Sequence, residues 1–270
     1  MGTEAVLNVC GDFHYGTKDL SGSDIISALN GATDEHRGNM LRIFTGDLVE
    51  NQLKTSVGHN YDVALADPAV QKRDMIDILR KTNEYLYTST LYKKLNTLNQ
   101  NRDRLVDIRS LGVEGNHEYR TRNTAGQWLS QELHEASKTL DCGSRAIIEL
   151  TIFNKKLKME KLYRIFVAHR PSKTDATSFD AITRSFKKKQ SVLPGIDVMI
   201  FGHYHRRYLF PDGYFDIRAD EYKKILYVIN PSPMSGVEYA EQAGYPPLQT
   251  GFYVNVHLPL DPAAQVWGLV

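Results

Sequence analysis

Cysteines and long apolar runs are scarce in this sequence of 270 residues. The two cysteines, Cys10 and Cys142, are too few for a disulfide scaffold and lack the C-x-x-C spacing of a thiolate metal site. No run approaches the roughly 18 apolar residues of a membrane-spanning helix. The N-terminal segment has neither the basic start nor the apolar stretch of a signal peptide. We therefore expect reduced thiols, a cytoplasmic location and no membrane partner.

An excess of charge is also missing. The sequence has 33 Lys and Arg residues and 32 Asp and Glu residues, which gives a net charge of +1. This balance excludes a general electrostatic attraction to nucleic acid or membranes, so any basic binding surface must be local. Internal repeats, low-complexity tracts and Pro/Gly-rich linkers are absent as well. We therefore expect one domain over residues 1–270.

The sequence does contain short apolar runs that lead into Gly, Asp, Asn or His. These runs are Ala5–Val9, Met40–Phe44, Val106–Val113, Ile165–Ala168 and Val198–Phe201. Each has the length of a buried strand. Reactive residues that follow such strands come together in loops at the carboxyl ends of the strands. The runs therefore predict a functional site assembled from several loops.

Helices are predicted between the early runs. Asp67 and Pro68 form a good N-cap and N1 pair for a first helix, and Thr124 and Gln127 have capping-box spacing for a second. The later part differs, with a predicted hairpin of Arg145–Phe153 and Leu162–Ala168. It continues with strand-like runs at Tyr208–Phe210, Ile225–Ile229 and Phe252–Val256. This order predicts two packed sheets covered by helices.

Five clusters carry candidate metal ligands. They read Gly11-Asp12-Phe13-His14, Gly46-Asp47, Gly115-Asn116-His117-Glu118, Ala168-His169-Arg170 and Gly202-His203-Tyr204-His205. Imidazole and carboxylate without thiolate suit Mn, Fe, Zn or Ni. Asp12/His14 and His203/His205 are i, i+2 pairs, whose side chains would project to one side of an extended chain. Each cluster alone could be an ordinary turn, but five in one order, each after a predicted strand, favour a functional site.

Such ligands are suited to hydrolysis of a phosphate ester. Two metal ions about 3.5–4 Å apart can activate a shared water and hold a phosphoryl group, so that a bridging hydroxide attacks phosphorus in line. The leaving oxygen needs a proton or a charge partner, which a histidine that is not a ligand can provide.

The ordered set resembles the calcineurin-like metallophosphoesterase superfamily. Its pattern is D-x-H, then GD, then GNH followed by Asp or Glu, then a lone His, then GHxH, and all five blocks occur between residues 11 and 205. The combination is specific for the superfamily and much less so for a substrate. The resemblance implies an α/β fold, a four-layer α/β/β/α sandwich of two mixed sheets flanked by helices. It also implies a dinuclear metal site at one edge of the sheets.

The resemblance also assigns roles to residues of this sequence. One metal ion would be held by Asp12, His14, Asp47 and His205. The second would be held by Asp47, Asn116, His169 and His203, so that Asp47 bridges the two. His117 takes the place of the histidine that protonates or stabilises the leaving oxygen, and Glu50 is either the residue that orients it or an exposed loop carboxylate. The implied cofactors are two divalent transition-metal ions, with manganese the first expectation and Fe, Zn, Ni or Co the alternatives.

Departures from individual branches of the superfamily narrow the range of expected substrates. Glu114 stands where the Ser/Thr protein phosphatases that the motif resembles carry a phosphate-binding Arg, which argues against a phosphoprotein. The nuclease branch shares Gly46-Asp47-Leu48 but prefers Asp at the position of Glu118. A helical insertion at about 52–104 is a further departure. It could form a cap, a partner surface or structural padding.

Local charge favours a polyanionic substrate. Between Lys161 and Arg207 there are ten basic and three acidic residues. Arg170 and Arg120 are candidates for substrate contact, Tyr204 could stack on a base or simply pack, and Lys187–Lys189 could also be a solvated helix end. We therefore expect a phosphodiesterase acting on DNA, RNA or nucleotides. A phosphomonoesterase acting on a small ester or a phosphoprotein is the alternative, a non-catalytic scaffold the remote one, and the oligomeric state is left open.

Overall fold

The structure is a computed structural model. It describes residues 4–18, 20–36, 39–51, 64–65, 67–88, 108–154, 157–171, 178–216, 220–234 and 250–261. The helices within these ranges are α1 (Gly22–Glu35), α2 (Pro68–Tyr87), α3 (Asn116–Ala125), α4 (Leu129–Ala136) and α5 (Phe179–Ser191). The strands are β1 (Glu4–Cys10), β2 (Met40–Phe44), β3 (Ser110–Gly112), β4 (Leu140–Asp141), β5 (Arg145–Asn154), β6 (Met159–Ala168), β7 (Val198–Phe201), β8 (Tyr208–Asp216), β9 (Glu221–Ile229) and β10 (Tyr253–Pro259).

The strands form two mixed sheets of five. The first has the order β10-β1-β2-β3-β4, and the second has the order β5-β6-β7-β9-β8. The central strands pair in parallel, whereas β10, β5 and β8 are antiparallel to their neighbours. Parallel central strands place their carboxyl ends at the same edge, as the apolar runs predict.

Three apolar layers hold these sheets and helices together. Leu7 and Ile43 of the first sheet pack against Val167 and Val228 of the second. Helices α1, α2 and α4 cover the outer face of the first sheet, where Cys10 and Phe44 meet Ile25, Leu29, Met75, Leu79 and Leu133. Helix α5 covers the second sheet, with Ile182 and Phe186 against Phe201 and Tyr227. The expected four-layer α/β/β/α sandwich is confirmed.

The predicted helix boundaries have a mixed outcome. Asp67 caps α2 by accepting a hydrogen bond of 2.8 Å from the Ala69 amide, and Pro68 is the first helical residue, as expected. The prediction that the second helix starts after Thr124 is wrong. Thr124 lies in the last turn of α3 and donates its hydroxyl to the Arg120 carbonyl oxygen, and the chain then turns at Gly126 with φ 66°.

Other predictions concern segments that lie wholly or partly outside the described residues. Of the expected insertion at 52–104, α2 is described, and residues 52–63 and 89–104 lie outside the described residues. Residues 106–107 of the third apolar run also lie outside them. Cys10 and Cys142 are free thiols, and burial raises the pKa of Cys10 to about 12. None of the described helices is long and apolar enough to cross a membrane.

Candidate metal centre

The candidate ligands lie in loops that follow five strands of the two sheets. Asp12 and His14 follow β1, Asp47 follows β2, and Asn116 begins α3 after β3. His169 follows β6, and His203 and His205 follow β7. The first sheet therefore supplies four of the seven candidate ligands and the second sheet supplies three. The site joins the two sheets at one shared edge.

Most of these residues have an unusual backbone conformation. The φ angles of Asp12, His14, Asp47, His203 and His205 are 49°, 49°, 50°, 73° and 52°. Side chains other than glycine rarely adopt this left-handed region, and such strain concentrates at functional sites. The i, i+2 pairs are therefore not in extended chain, contrary to the expectation. Tight left-handed turns direct the side chains into the site instead.

Glycines bring the turns after β2 and β3 into direct contact. Gly46 has a φ of 95°, and a Cβ on Gly115 would overlap both the amide nitrogen and the Oδ1 atom of Asp47. No side chain fits in this gap. The absence of a Cβ at Gly115 thus allows the Gly46-Asp47 turn to lie against the start of α3, next to Asn116 and His117.

One group of donor atoms converges at Asp12, His14 and His205, whose ligand atoms all lie within 4.8 Å of one another. The Nε2 atoms of His14 and His205 are 3.0 Å apart, and Asp12 Oδ1 is 3.7 Å from His205 Nε2. His14 Nδ1 donates to Glu50 Oε2 at 2.7 Å, which leaves Nε2 as the ring nitrogen that can bind a cation. Two imidazole nitrogens and a carboxylate oxygen this close together suit a shared cation.

A second group consists of Asp47, His169 and His203, also within 4.8 Å of one another. His169 Nε2 is 3.1 Å from Asp47 Oδ2 and 2.9 Å from Asn116 Oδ1. His169 Nδ1 donates to the Thr45 carbonyl oxygen at 2.9 Å, which leaves Nε2 as the ligand atom of the neutral ring. The expected members of the second ligand set therefore lie together.

Asp47 lies between the two groups. Its Oδ2 is 3.1 Å from His169 Nε2 and 3.8 Å from His14 Nε2. Its Oδ1 accepts the His117 amide at 2.8 Å, and the residue is 1% exposed. A carboxylate at this position can contact ions in both groups.

Electrostatics around these groups favour a bound cation. Burial disfavours the charged form of His14, but the hydrogen bond and charge of Glu50 and the charges of Asp47 and Asp12 raise its pKa to about 9. Burial likewise opposes protonation of His169, while Asp47 and Asp12 raise its pKa to about 9. Buried carboxylates thus attract positive charge, and a metal ion can supply that charge in place of protons. Oxygen and imidazole donors without thiolate fit divalent transition metals.

His117 lies beside these groups but has a different environment. Its Nδ1 donates to the main-chain oxygen of Glu50, and its Nε2 is 3.9 Å from Asp47 Oδ2. Burial lowers its pKa to about 4, against the raising effect of Asp47. Without substrate the ring is neutral, with Nδ1 protonated and Nε2 directed towards Asp47.

Glu50 contacts both histidines, by different atoms. Its carboxylate is 2.7 Å from His14 Nδ1 and 3.6 Å from His117 Nδ1. The main chain of Glu50 makes the closer contact with His117. Glu50 is 7% exposed, so it is not the exposed loop carboxylate of the alternative interpretation. In the structure its carboxylate primarily orients His14, and its carbonyl oxygen orients His117.

Sequence reasoning gave no role to Glu118, which joins the two glycine turns. Its Oε2 accepts the amides of Asp47 at 2.9 Å and Gly115 at 3.0 Å. Its Oε1 accepts the amides of Leu48 at 2.7 Å and Val49 at 3.3 Å. Burial and then the charge of Asp47 raise the pKa of Glu118 to about 7. The acid at the fourth position of the GNHE block was visible, but its partners lie about 70 residues earlier in the chain.

Asn230 and Ser232 are two further residues that sequence reasoning missed. Asn230 Nδ2 donates to Asp12 Oδ2 at 3.3 Å, and Ser232 Oγ donates to the Asp12 carbonyl oxygen at 2.7 Å. Both residues are 0% exposed. They follow β9, which pairs with β7, so only the sheet topology brings them to Asp12. An Asn-Pro-Ser sequence after an apolar run was the available signal.

Three solved structures are similar to this chain at low sequence identity. A conserved protein of Streptococcus pneumoniae TIGR4, described as a predicted phosphoesterase, is 11% identical with a TM-score of 0.36, over 96% of this chain and 85% of that chain. Wild-type Vps29 of Entamoeba histolytica complexed with zinc is 13% identical with a TM-score of 0.39, over 98% of both chains. A 5′-nucleotidase precursor of Thermus thermophilus is 11% identical with a TM-score of 0.41, over 97% of this chain and 55% of that chain.

No family model and no curated protein matches this sequence. The likenesses are remote, so the assignment of the site rests on the geometry of this chain.

The expected substrate contacts lie at different depths. Arg120 Nη1 is 3.3 Å from His117 Nδ1, which places Arg120 beside the site. Arg170 follows His169 directly and is half-buried. Tyr204 is 9% exposed, and its ring packs 6.4 Å from that of Phe186 in the core under α5. This burial favours packing, rather than base stacking, as the role of Tyr204.

Proposed function

We propose that this chain is a metallophosphoesterase, and more specifically a phosphodiesterase that hydrolyses nucleic acid or nucleotide diesters with two divalent transition-metal ions. The observation that supports it most is the convergence of two sets of donor atoms around Asp47. Asp12, His14, Asp47 and His205 would hold one ion, and Asp47, Asn116, His169 and His203 the other. Bound there, two ions would supply a hydroxide nucleophile at neutral pH and neutralise the charge of the phosphoryl group.

The chain's own residues would prepare the leaving oxygen. Glu50 and Thr45 fix the rings of His14 and His169 through their Nδ1 atoms. His117 is held through Nδ1, so only its Nε2 can reach a substrate. The negative charge of a phosphate beside this ring favours its protonated form. The Nε2–H group then donates its proton to the leaving oxygen.

The diester preference rests on the basic residues near the site. Arg120 lies beside His117, and Arg170 adjoins His169. Guanidinium groups at these places can hold the phosphates that flank a cleaved bond. Manganese as the native metal and a cytoplasmic location remain predictions from the sequence.

A phosphomonoesterase with the same residues is the second candidate. The ligand set serves either ester, and Glu114 stands where the phosphatase motif has Arg. Glu114 is 8% exposed and lies 3.6 Å from Arg122, so its carboxylate is paired beside the GNHE turn. A carboxylate there cannot supply the guanidinium contact that the phosphatase motif gives to a phosphate, which favours the diester.

The direct test is metal analysis followed by an activity screen. Purified protein loaded with manganese should bind two ions per chain and hydrolyse bis-p-nitrophenyl phosphate faster than p-nitrophenyl phosphate. Asp47→Asn should lower the content of both ions. Absence of diester turnover with Mn, Ni, Co, Zn and Mg would refute the proposal, and faster monoester turnover would support the second candidate. Full metal loading without turnover of either ester would indicate a scaffold.

A further inference from the structure

Strand β5 forms one edge of the second sheet. Among the described residues it pairs only with β6, in an antiparallel register that runs one to one from Arg145–Ala168 to Asn154–Met159. This register contains no bulge. Along its ten residues, no other described strand pairs with its outward N–H and C=O groups. Such an edge is a template for pairing with another strand.

The other three edge strands carry features that prevent pairing. β4 is two residues long, β8 contains the exposed Pro211, and β10 ends at Pro259. Proteins protect sheet edges by shortness, proline and lysine. β5 has the sequence RAIIELTIFN, without proline or lysine. It alone among the four combines length, regularity and apolar character.

Large apolar side chains are exposed on and next to this strand. Ile147 and Phe153 of β5 are 57% and 55% exposed. Leu157 in the turn and Met159 and Leu162 of β6 are 56%, 37% and 40% exposed. A group of this size within one hairpin is more than the scattered apolar residues of an ordinary surface. It indicates a surface that is covered by a partner.

We propose that the β5 edge is a homodimer interface, in which β5 pairs antiparallel with β5 of a second copy about a two-fold axis at Leu150. Side chains alternate with a period of two, so this axis places Ile147 opposite the partner's Phe153 and Ile148 opposite the partner's Ile152. Glu149 then lies opposite the partner's Thr151. Apolar side chains meet apolar ones on both faces.

The sequence of β5 selects this register over its neighbour. An axis at Glu149 would place the two Glu149 side chains opposite each other and Arg145 opposite the partner's Phe153. Like charges in directly opposed positions destabilise a strand pair. The axis at Leu150 is therefore favoured over the axis at Glu149. In this arrangement the second sheets of the two copies form one continuous sheet.

The exposed apolar group extends the contact beyond the backbone. A stable interface buries about 800 Å² on each partner, which is more than the backbone of one strand provides. Thr151 pairs with Leu162 and Phe153 with Glu160 across the hairpin, so Leu162 lies on the same outer face as Phe153. The partner's Ile147 would pack on this face, beside Phe153 and Leu162.

The test is the mass of the full chain in solution, by sedimentation or light scattering over a wide range of concentrations. The wild type should dimerise. Thr151→Glu should weaken the dimer about tenfold, because each subunit then opposes Glu149 with a second carboxylate. Thr151→Lys is the matched control and should retain or strengthen the dimer. Thr151 is exposed, so circular dichroism and thermal unfolding of both variants should match the wild type.

The register has its own test in a Cys142→Ser background. Glu149→Cys and Thr151→Cys proteins should form a disulfide-linked dimer rapidly when mixed, and slowly when kept apart, because opposed residues have the Cα separation that a disulfide needs. A wild-type monomer at every concentration would overturn the proposal. So would open-ended oligomers, a dimer that both Thr151 substitutions affect equally, or cross-linking that does not depend on mixing.

Discussion

At the scale of single residues, the site separates candidate ligands from the residues that position them. His14 and His169 each use Nδ1 for a structural hydrogen bond and leave Nε2 for a metal. His117 also donates from Nδ1, and its Nε2 is 3.9 Å from Asp47 Oδ2. Under the proposed function, His117 is the proton donor, and His14 and His169 are ligands.

His117→Ala tests that distinction. We expect diester turnover to fall about 10²-fold or more while two ions per chain remain bound, since general acid catalysis contributes about 10²–10⁴-fold. The loss should be greater for a dinucleotide, whose alkoxide leaving group needs a proton, than for bis-p-nitrophenyl phosphate, whose leaving group does not. Metal analysis and both assays check this. Loss of metal, or an equal effect on the two substrates, would contradict the role of His117.

Glu118→Gln tests the carboxylate that joins the two turns. An amide has one acceptor oxygen, so the NH₂ group of Gln would face two of the four backbone N–H donors. We expect the free energy of unfolding to fall by about 2 kcal/mol or more, with weaker manganese binding. Glu160→Gln, at an exposed position of β6, is the matched control and should change neither property. Unchanged denaturation midpoints for both variants would show that Glu118 does not position Asp47.

At the scale of elements, the strands determine which loops meet, and glycines determine how closely. Gly46 lies in the loop after β2, and Gly115 lies in the loop after β3. A Cβ added at either residue would overlap neighbouring backbone atoms. The positions of the candidate ligands therefore depend on backbone conformation as much as on side-chain chemistry.

Gly115→Ala and Gly31→Ala form a matched pair. A Cβ at Gly115 would overlap the Asp47 backbone, so this variant should lose manganese affinity and stability. Gly31 is an exposed residue within α1, and a Cβ added there would meet open space. Alanine there should stabilise the protein by about 0.5–1 kcal/mol, because glycine is costly within a helix. Chemical denaturation with and without manganese measures both, and equal effects would contradict the packing argument.

The elements also show which parts of the fold and the site could be predicted from the sequence. β2 and β7 begin and end at the predicted residues, because their apolar runs are bounded by polar residues or glycine. The ligand clusters were visible because motif spacing is local. The prediction at Thr124 is wrong because residues with capping-box spacing also occur inside a helix. The partners of Glu118, Glu50 and Asn230 could not be predicted, since each depends on which turns the tertiary fold brings together.

At the scale of the whole molecule, metal binding should be coupled to protons. Without metal, the pKa values of His14 and His169 are raised to about 9 from 6.5, so both rings carry protons at neutral pH. The stability that these protons give the metal-free fold is complete below pH 6.5 and is lost as the pH rises through 9. A metal ion replaces the protons, so its uptake releases them at neutral pH.

Calorimetric titration with manganese under argon, in buffers of different ionisation enthalpy, measures this release. We expect protons to be released at neutral pH and the number to fall as the pH passes 9, because the rings are then already neutral. Asp47→Asn should reduce the release, since Asp47 raises the pKa of both rings. Release that stays constant or grows with pH would contradict the assignment of these rings as ligands.

The left-handed turns at Asp12, His14, Asp47, His203 and His205 have an evolutionary consequence. A descendant that lost its need for metal would be released from the demand for imidazole and carboxylate, but not from the demand for this backbone shape. Glycine and asparagine meet that demand, whereas β-branched residues do not. Decay of the catalytic centre should therefore proceed through Asn and Gly at these five positions, and such a pattern in a related sequence would identify an inactive descendant with its fold intact.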